Sequence, residues 1–266
     1  MIPLTDTELE AVLGRPVRRI LTPADRRAFA GRRVLITGAA GSIGSELARH
    51  VARCQPARLA VLDHSELGLF TLERELTRQH PGLPLDVLLA DVAHDALPPL
   101  FRGVRPDVVY HAAAYKHVTM VERALCPAVR VNVLGSAAAA EAARDVGARF
   151  VLISSDKAAA PRSLMGATKR LAELSVLARA TRLFQPVVVR FGNVLGSSGS
   201  VLHVIREAVR AGRPVPLTDP DATRYFMAAG EAVSLVMKAT LLSRRAETSW
   251  LDLGAPVRLG DLVTRR

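Results

Sequence analysis

The chain has 266 residues, 49% of them hydrophobic, and a mean hydropathy of +0.20, which suits one large domain around a buried sheet, or a domain with a lobe. A formal net charge of +11 invites a nucleic-acid reading, but the arginines (Arg15, Arg26, Arg53, Arg78, Arg130, Arg179, Arg210) are scattered and aromatics make up only 4%, too few for stacking platforms. No apolar run reaches a membrane span, no signal-peptide pattern is present, and Cys54 and Cys126 lack metal or disulfide spacing, so a cytoplasmic protein is expected, the inner face of a membrane included because a basic chain attracts anionic surfaces.

Residues 1–30 read as a leader packed on the outside of the domain. Thr7 and Glu10 match a capping box before a short helix ending near Gly14, and Pro16 and Pro23 punctuate the rest. From Arg33 onward strands and helices alternate. A first strand ends at Thr37 and a helix spans 43–53; a second strand ends at Leu62, and the helix over 65–79 is broken by Pro81-Gly82. Strands follow over 85–90, 107–110, 149–153 and 187–190, with helices over 127–144 and 164–179. This alternation predicts βαβ units and an α/β, doubly wound parallel sheet, a Rossmann domain over 31–191.

After Phe191 the pattern changes to a glycine- and serine-rich loop over 192–200, a helix over 201–211 and an extended piece over 215–218. A helix over 230–242 and a last strand near 250–253 complete it. Residues 192–266 therefore read as a small substrate lobe past the carboxyl ends of the strands, expected to be incomplete because the chain stops just as Gly260-Asp261-Leu262 begins a helix.

The stretch Gly38-Ala39-Ala40-Gly41-Ser42-Ile43-Gly44 joins the first strand to the first helix of this domain. Gly38 permits the tight turn, Gly41 lets the backbone approach a pyrophosphate, and Gly44 lets the helix lie close on the sheet. The first helical turn then offers free N–H groups and a positive dipole end to phosphates. Asp63, about twenty residues on, ends the second strand where a carboxylate accepts from a ribose hydroxyl, which favours NAD. NADP stays open because His64 adjoins it. Asp91 and Val92 end the third strand where an adenine is commonly contacted, although Asp91 also fits a helix cap. Ala112, Ala113 and Ala114 let a flat ligand lie on the backbone after the fourth strand, and Asn132 is counted with the cofactor-binding residues.

Six runs, TGAAGSIGSEL, LDHSE, HAAAYKHV, SSDKAAAPRSLMGATKR, VRFGNVLGSSGSV and DATRYFM, occur in order. Together they resemble the extended short-chain dehydrogenase/reductases that act as UDP-N-acetylglucosamine 4,6-dehydratases in polysaccharide and glycan biosynthesis. The resemblance runs from Leu9 onward. It implies that bound NAD(P)⁺ takes hydride from sugar C4, water leaves across C5–C6, and hydride returns to C6. Ser155 would hydrogen-bond the C4 oxygen, Asp156 would act as acid at C6 and Lys157 as base at C5, given shifted pKa values.

Lys169 lies one helical turn after Met165. Most of the superfamily carries Tyr-x-x-x-Lys here; the methionine matches a membrane-anchored branch and takes no proton. The C4 proton would then leave through Ser155 to Asp156, or to the lysine, while Lys169 binds the nicotinamide ribose. For the sugar nucleotide the resemblance implies Lys116 and His117 facing the cleft, Asn193 and the 197–200 loop with Ser200 on the phosphates, and Arg224 on the pyrophosphate, with Arg258 of the same kind. His203 reads as structural. His50, His64, His80 and His94 show no metal-ligand clustering, and no metal is expected. Ser155 stands where many relatives have threonine, and Ala159 or Ala160 where they have asparagine. The competing readings are a sugar-nucleotide epimerase, an epimerising dehydratase, or a non-catalytic NAD-binding subunit. Helices after strands four and five are the expected seam of a homo-oligomer.

Overall fold

Val34 and Ile36 point to one side of an extended chain and Leu35 to the other, and all three are apolar, so this strand must be covered on both faces. The computed structural model, which describes residues 5–18, 20–93, 97–197, 205, 208, 211–215, 219, 221–252 and 254–264, bears this out. The strands are β1 (Arg33–Thr37), β2 (Arg58–Asp63), β3 (Leu85–Leu89), β4 (Val108–His111), β5 (Arg149–Ser155), β6 (Val187–Phe191), β7 (Asn193–Leu195), β8 (Thr223–Arg224), β9 (Phe226–Ala228), β10 (Glu247–Trp250) and β11 (Val257–Arg258). Seven of them form one parallel sheet in the order β10-β6-β5-β4-β1-β2-β3.

The helices are α1 (Asp6–Leu13), α2 (Pro23–Arg27), α3 (Ser42–Ala52), α4 (Glu66–Gln79), α5 (Leu97–Val104), α6 (Val118–Arg123), α7 (Leu125–Ala128), α8 (Ser136–Asp145), α9 (Leu164–Leu177), α10 (Ala229–Leu242) and α11 (Leu259–Thr264). On one face α3, α4 and α10 bury Leu47, Val51, Leu72, Leu76, Val233 and Val236 against Ile36, Val61, Val151 and Val189. On the other, α5, α8 and α9 bury Phe101, Ala139, Ala143, Ala172 and Val176 against Leu35, Leu62, Val109 and Leu152. The alanines of α8 let that helix lie close on the sheet.

Several expectations need correction. The capping box is Thr5 with Glu8, one pair earlier than Thr7 with Glu10, and α2 carries a second box of Thr22 with Asp25. The chain is helical throughout the expected 127–144 but not all of it is α: α7 passes into a π-helical stretch, Val129–Gly135, and then into α8. The loop after Phe191 contains β7, which pairs in parallel with β9. The last strand of the sheet is β10, a few residues before 250–253, and it lies beside β6, so α10 and β10 belong to the main sheet layer. The leader does more than lie outside, since Leu13 of α1 joins Leu195, Phe226 and Val257 in a third small core. Of the helix expected over 201–211 only Ile205 and Ala208 are described as helical, and residues 216–218 of the extended piece lie outside the described residues.

Candidate active site

A cleft of about 910 Å³ opens at the carboxyl ends of β1, β4, β5 and β6, where the strand order reverses between β4 and β1. Its near wall is the glycine turn. Gly38 has φ 66°, and a Cβ there would lie 2.4 Å from the Ala113 backbone nitrogen, so the turn sits directly on the strand-four loop. A Cβ on Gly44 would lie 2.1 Å from the Gly38 carbonyl oxygen, so α3 starts in contact with the turn. Gly41 is the N-cap of α3 and makes no side-chain cap, and Ser42, Ile43 and Gly44 line the cleft. A first turn whose N-cap residue makes no side-chain cap, beside a turn of glycines and alanines alone, has the shape and polarity to take a pyrophosphate.

The far wall carries the titratable groups. Ser155 Oγ donates to Asp156 Oδ1 at 2.9 Å, and Lys157 Nζ donates to the same oxygen at 3.0 Å and to Asn193 Oδ1 at 3.2 Å. The backbone N–H of Lys157 donates to Ser155 Oγ at 3.3 Å, which tightens this short 3₁₀ turn (Asp156–Ala158). Lys169 is 7% exposed and donates to the Ile153 carbonyl at 2.6 Å. Burial brings its pKa down to about 8, against the pull of Glu173, which favours the charge. Met165 is buried against Val121 and Ala128. Partial burial lowers the Lys116 amine from its ordinary value.

Of the residues singled out from the sequence, Gly38, Gly41, Ser42, Ile43, Gly44, Ala112, Ala114, Lys116, His117, Ser155, Lys157, Met165, Lys169, Asn193 and Arg224 share this one cleft. Ser197, from the 197–200 loop, lines it as well, and the other described ones do not. Ala113 lies behind Gly38. Asp63 is buried, and its oxygens accept from Ala40 N–H and Ser65 N–H, each at 2.9 Å, tying β2 to the glycine turn. Asp91 accepts from Ala93 N–H at 2.8 Å as a turn, and Val92 is buried against the π-helical stretch. Asn132, fully buried within that stretch, accepts from Tyr115 N–H at 2.8 Å and donates to Tyr115 O at 3.0 Å. It braces the strand-four loop rather than reaching the cleft. Asp156 turns back onto Ser155 and Lys157. Arg258 is exposed on β11 and pairs with Asp221. Ser200, His94 and His203 lie outside the described residues.

Sequence reasoning passed over four supports. Gly166 lets α9 meet the Asp156–Ala158 turn, since a Cβ there would lie 2.5 Å from Lys157 O. Buried Glu173 accepts from Ser154 Oγ at 2.6 Å and Arg190 Nε at 2.7 Å. Burial works against its charge, but hydrogen bonds from Arg190, Ser154 and Arg170 outweigh that and hold its carboxyl below the ordinary value. His111 bridges Thr37 Oγ1 (2.7 Å) and Ser136 Oγ (3.0 Å) under the cleft floor. The Ser136 proton goes to Asn132 O at 2.6 Å, which puts the imidazole proton on Nε2 and leaves Nδ1 to accept from Thr37. Phe226 completes the mouth. Gly166, His111 and Phe226 lie in the runs MGATKR, HAAAYKHV and DATRYFM, but nothing in the sequence marked their roles, and Glu173 lies in none of the six runs. Among the described residues no group of three metal-ligating side chains occurs, and no helix is long and apolar enough to cross a membrane.

Comparison with known proteins extends these observations. The solved structure of Pen from Bacillus thuringiensis is similar with a TM-score of 0.82 at 29% identity, over 89% of this chain and 73% of that one. WbmF from Bordetella bronchiseptica, solved with NAD⁺ and UDP, shares the fold (TM-score 0.75, 18% identity, 90% of this chain and 77% of that one). The fold is thus the Rossmann type of the short-chain dehydrogenase/reductases. Probable polysaccharide biosynthesis protein EpsC of Bacillus subtilis (strain 168) is 41% identical over 265 residues, 98% of this chain and 44% of the relative, so the chain spans less than half of that protein's length. A model of the polysaccharide biosynthesis protein family matches residues 34–266, and the chain belongs to that family.

Proposed function

We propose that the chain is a sugar-nucleotide 4,6-dehydratase that takes UDP-N-acetylglucosamine to a UDP-4-keto-6-deoxy-N-acetylhexosamine for polysaccharide or glycan biosynthesis. The observation that carries this reading is the hydrogen-bonded trio Ser155, Asp156 and Lys157 on the wall opposite an uncapped glycine turn. The turn fits a dinucleotide, because Gly38 and Gly44 leave no room for side chains and Gly41 leaves the first turn of α3 to be capped by a ligand. NAD held there supplies the acceptor and donor of hydride. Asp63, a buried carboxylate tied to that turn, disfavours a 2′-phosphate and so NADP.

The chain's own residues handle the protons. Ser155 hydrogen-bonds the sugar C4 oxygen and relays its proton to Asp156, since Met165 takes none. Lys157 removes the proton at C5, and Asp156 protonates the departing C6 hydroxyl. Both Ser155 and Lys157 hydrogen-bond Asp156 Oδ1, and as hydride returns to C6 the part-exposed Lys157 delivers to C5 a proton that has exchanged with solvent. Lys169 holds the nicotinamide ribose. Arg224, Asn193, Lys116 and His117 take the UDP-sugar, the guanidinium as a charge-assisted contact to its diphosphate. Segments beyond Phe191 that cover the mouth serve as the substrate lobe. Leu134, Leu171 and Leu174 stand exposed on the helices after β4 and β5, which supports a homo-oligomer seam there.

The test is proton NMR of UDP-N-acetylglucosamine with the protein and NAD⁺ in D₂O. A new C6 methyl signal with deuterium at C5 is expected, lost in Lys157→Ala while dinucleotide binding persists. Inversion at C4 without loss of water would make the chain an epimerase. Unchanged sugar alongside bound cofactor would make it a non-catalytic subunit.

A further inference from the structure

Nothing in that mechanism uses a residue before Gly38, yet the leader is built into the wall of the cleft. α1 packs Leu13 against Leu195, Phe226 and Val257, with Leu9, Val12 and Leu259 around them. Phe226 and Leu259 belong both to this small core and to the cleft lining. Gly14 then reverses the chain at φ 66°, and Arg15 reaches Glu231 with Nη1–Oε1 at 2.6 Å and Nη2–Oε2 at 3.2 Å. The backbone N–H groups of Arg18 (2.6 Å) and Ala228 (3.0 Å) donate to the same carboxylate, which is 1% exposed. Burial opposes the Glu231 charge, but Arg15 and the two N–H groups outweigh it and lower its pKa.

The contacts continue to the candidate catalytic lysine. Ala228 is the last residue of β9, β9 pairs with β7, and β7 begins at Asn193, whose side chain accepts from Lys157 Nζ. We infer that Arg15 and Glu231 are positioning residues for the substrate half of the cleft, holding the β7–β9 pair, and with it Asn193, in register with Lys157. The dinucleotide cradle is built on β1 and α3; α3 packs on α10, but the hydrogen bonds to the Glu231 carboxylate come from Arg15, Arg18 and Ala228. A misplacement of about 1 Å at a reacting group costs up to about a hundredfold in rate, so a clamp remote from the chemistry has catalytic consequences. The inference rests on the proposed function for what the cleft binds; the mechanical link stands apart from it.

The experiment compares the full chain with Arg15→Ala, Arg15→Lys and Glu231→Gln by amide hydrogen exchange and by calorimetric titration with UDP and with NAD⁺. Arg15→Ala should speed exchange over 193–195 and 226–228 about tenfold and weaken UDP about fivefold to tenfold, with NAD⁺ affinity within about twofold. Arg15→Lys should recover part of both. A folded Arg15→Ala protein with wild-type exchange in those two segments would overturn the inference. Equal acceleration over 34–37 and 59–62 would overturn it too, by making the clamp a general stabiliser. If Arg15→Ala does not fold, Glu231→Gln, which keeps the volume and one acceptor, gives the same readouts. Absence of UDP binding by the wild-type chain would overturn the functional reading alone, and the exchange comparison then judges the clamp.

Discussion

Replacing Gly44 by alanine sets local propensity against packing. Within α3 the change should help, because alanine is better than glycine in a helix by about 1 kcal/mol. The new Cβ, however, would lie 2.1 Å from Gly38 O and 2.7 Å from Ala39 Cα, more than about 1 Å inside ordinary contact. Both atoms are backbone in a turn already pressed on Ala113, so neither swings aside as a side-chain end would. Overpacking against a fixed neighbour costs about 1–3 kcal/mol, sometimes more, which leaves a net loss of up to about 2 kcal/mol. At about 2–4 °C per kcal/mol for a chain of this size, Tm should fall by up to about 8 °C. NAD⁺ affinity should drop more than tenfold, since α3 must leave the turn it shares with the pyrophosphate cradle. Gly103→Ala is the control: it lies in α5, and nothing stands within 4 Å of its Cβ. It should raise stability by about 0.5–1 kcal/mol and leave NAD⁺ binding alone. A Gly44→Ala protein that melts with the wild type and binds NAD⁺ equally well would refute the argument.

His111 and the Glu173–Arg190 pair yield two further predictions. Burial, aided by Lys169, pushes the His111 pKa down to about 3, so the native state stays unprotonated while the unfolded chain takes a proton below about 6.5. Its contribution is therefore whole above pH 6.5 and lost as the pH falls toward 3, at about 1.4 kcal/mol per unit, and urea unfolding of the wild type should steepen with acid relative to His111→Gln. Parallel profiles would contradict the assignment. Arg190→Met leaves the buried Glu173 carboxylate with only Arg170 and Ser154, and should cost about 3 kcal/mol in urea unfolding, most of it recovered in the Arg190→Met/Glu173→Gln double variant. A single-variant cost below about 1 kcal/mol would mean that Arg170 alone suffices.

The parallel sheet was legible because β1, β2, β4, β5 and β6 are short apolar runs ending in glycine, alanine, serine or acidic residues. The glycine turn and most of the cleft lining followed from where those strands end. Other features left no usable mark. Thr5 with Glu8 and Thr7 with Glu10 satisfy the same capping pattern, and only packing chooses between them. An extra residue turns an apolar stripe by about 100°, but in the valine- and alanine-rich run 129–143 small and apolar residues stand all round the helix, so 127–144 shows no break. Two strands of three residues, β7 and β9, are too short to show a period of two. Asp63 and Asn132 are polar residues at positions where a ligand contact and a backbone brace look alike in sequence. The structure resolves them because their partners are Ala40, Ser65 and Tyr115. Arg15 and Glu231 could not be paired at all by local spacing.

That last separation has a consequence for how the molecule is made. Arg15 is synthesised 216 residues before the carboxylate it needs. At about 5–20 residues per second, α1 must wait on the order of ten seconds or more on the ribosome with Leu9, Val12 and Leu13 uncovered. The central strands can pair in that interval, but Arg15 waits for α10, Arg18 longer still for Asp252, and the small core under the cleft mouth cannot close until Val257 and Leu259 have emerged. Closing so long a loop is slow as well as late. α1 is therefore made long before the elements it packs on, and an amphipathic helix left idle for that time, with Leu9, Val12 and Leu13 uncovered, is where a chaperone would be expected to hold it.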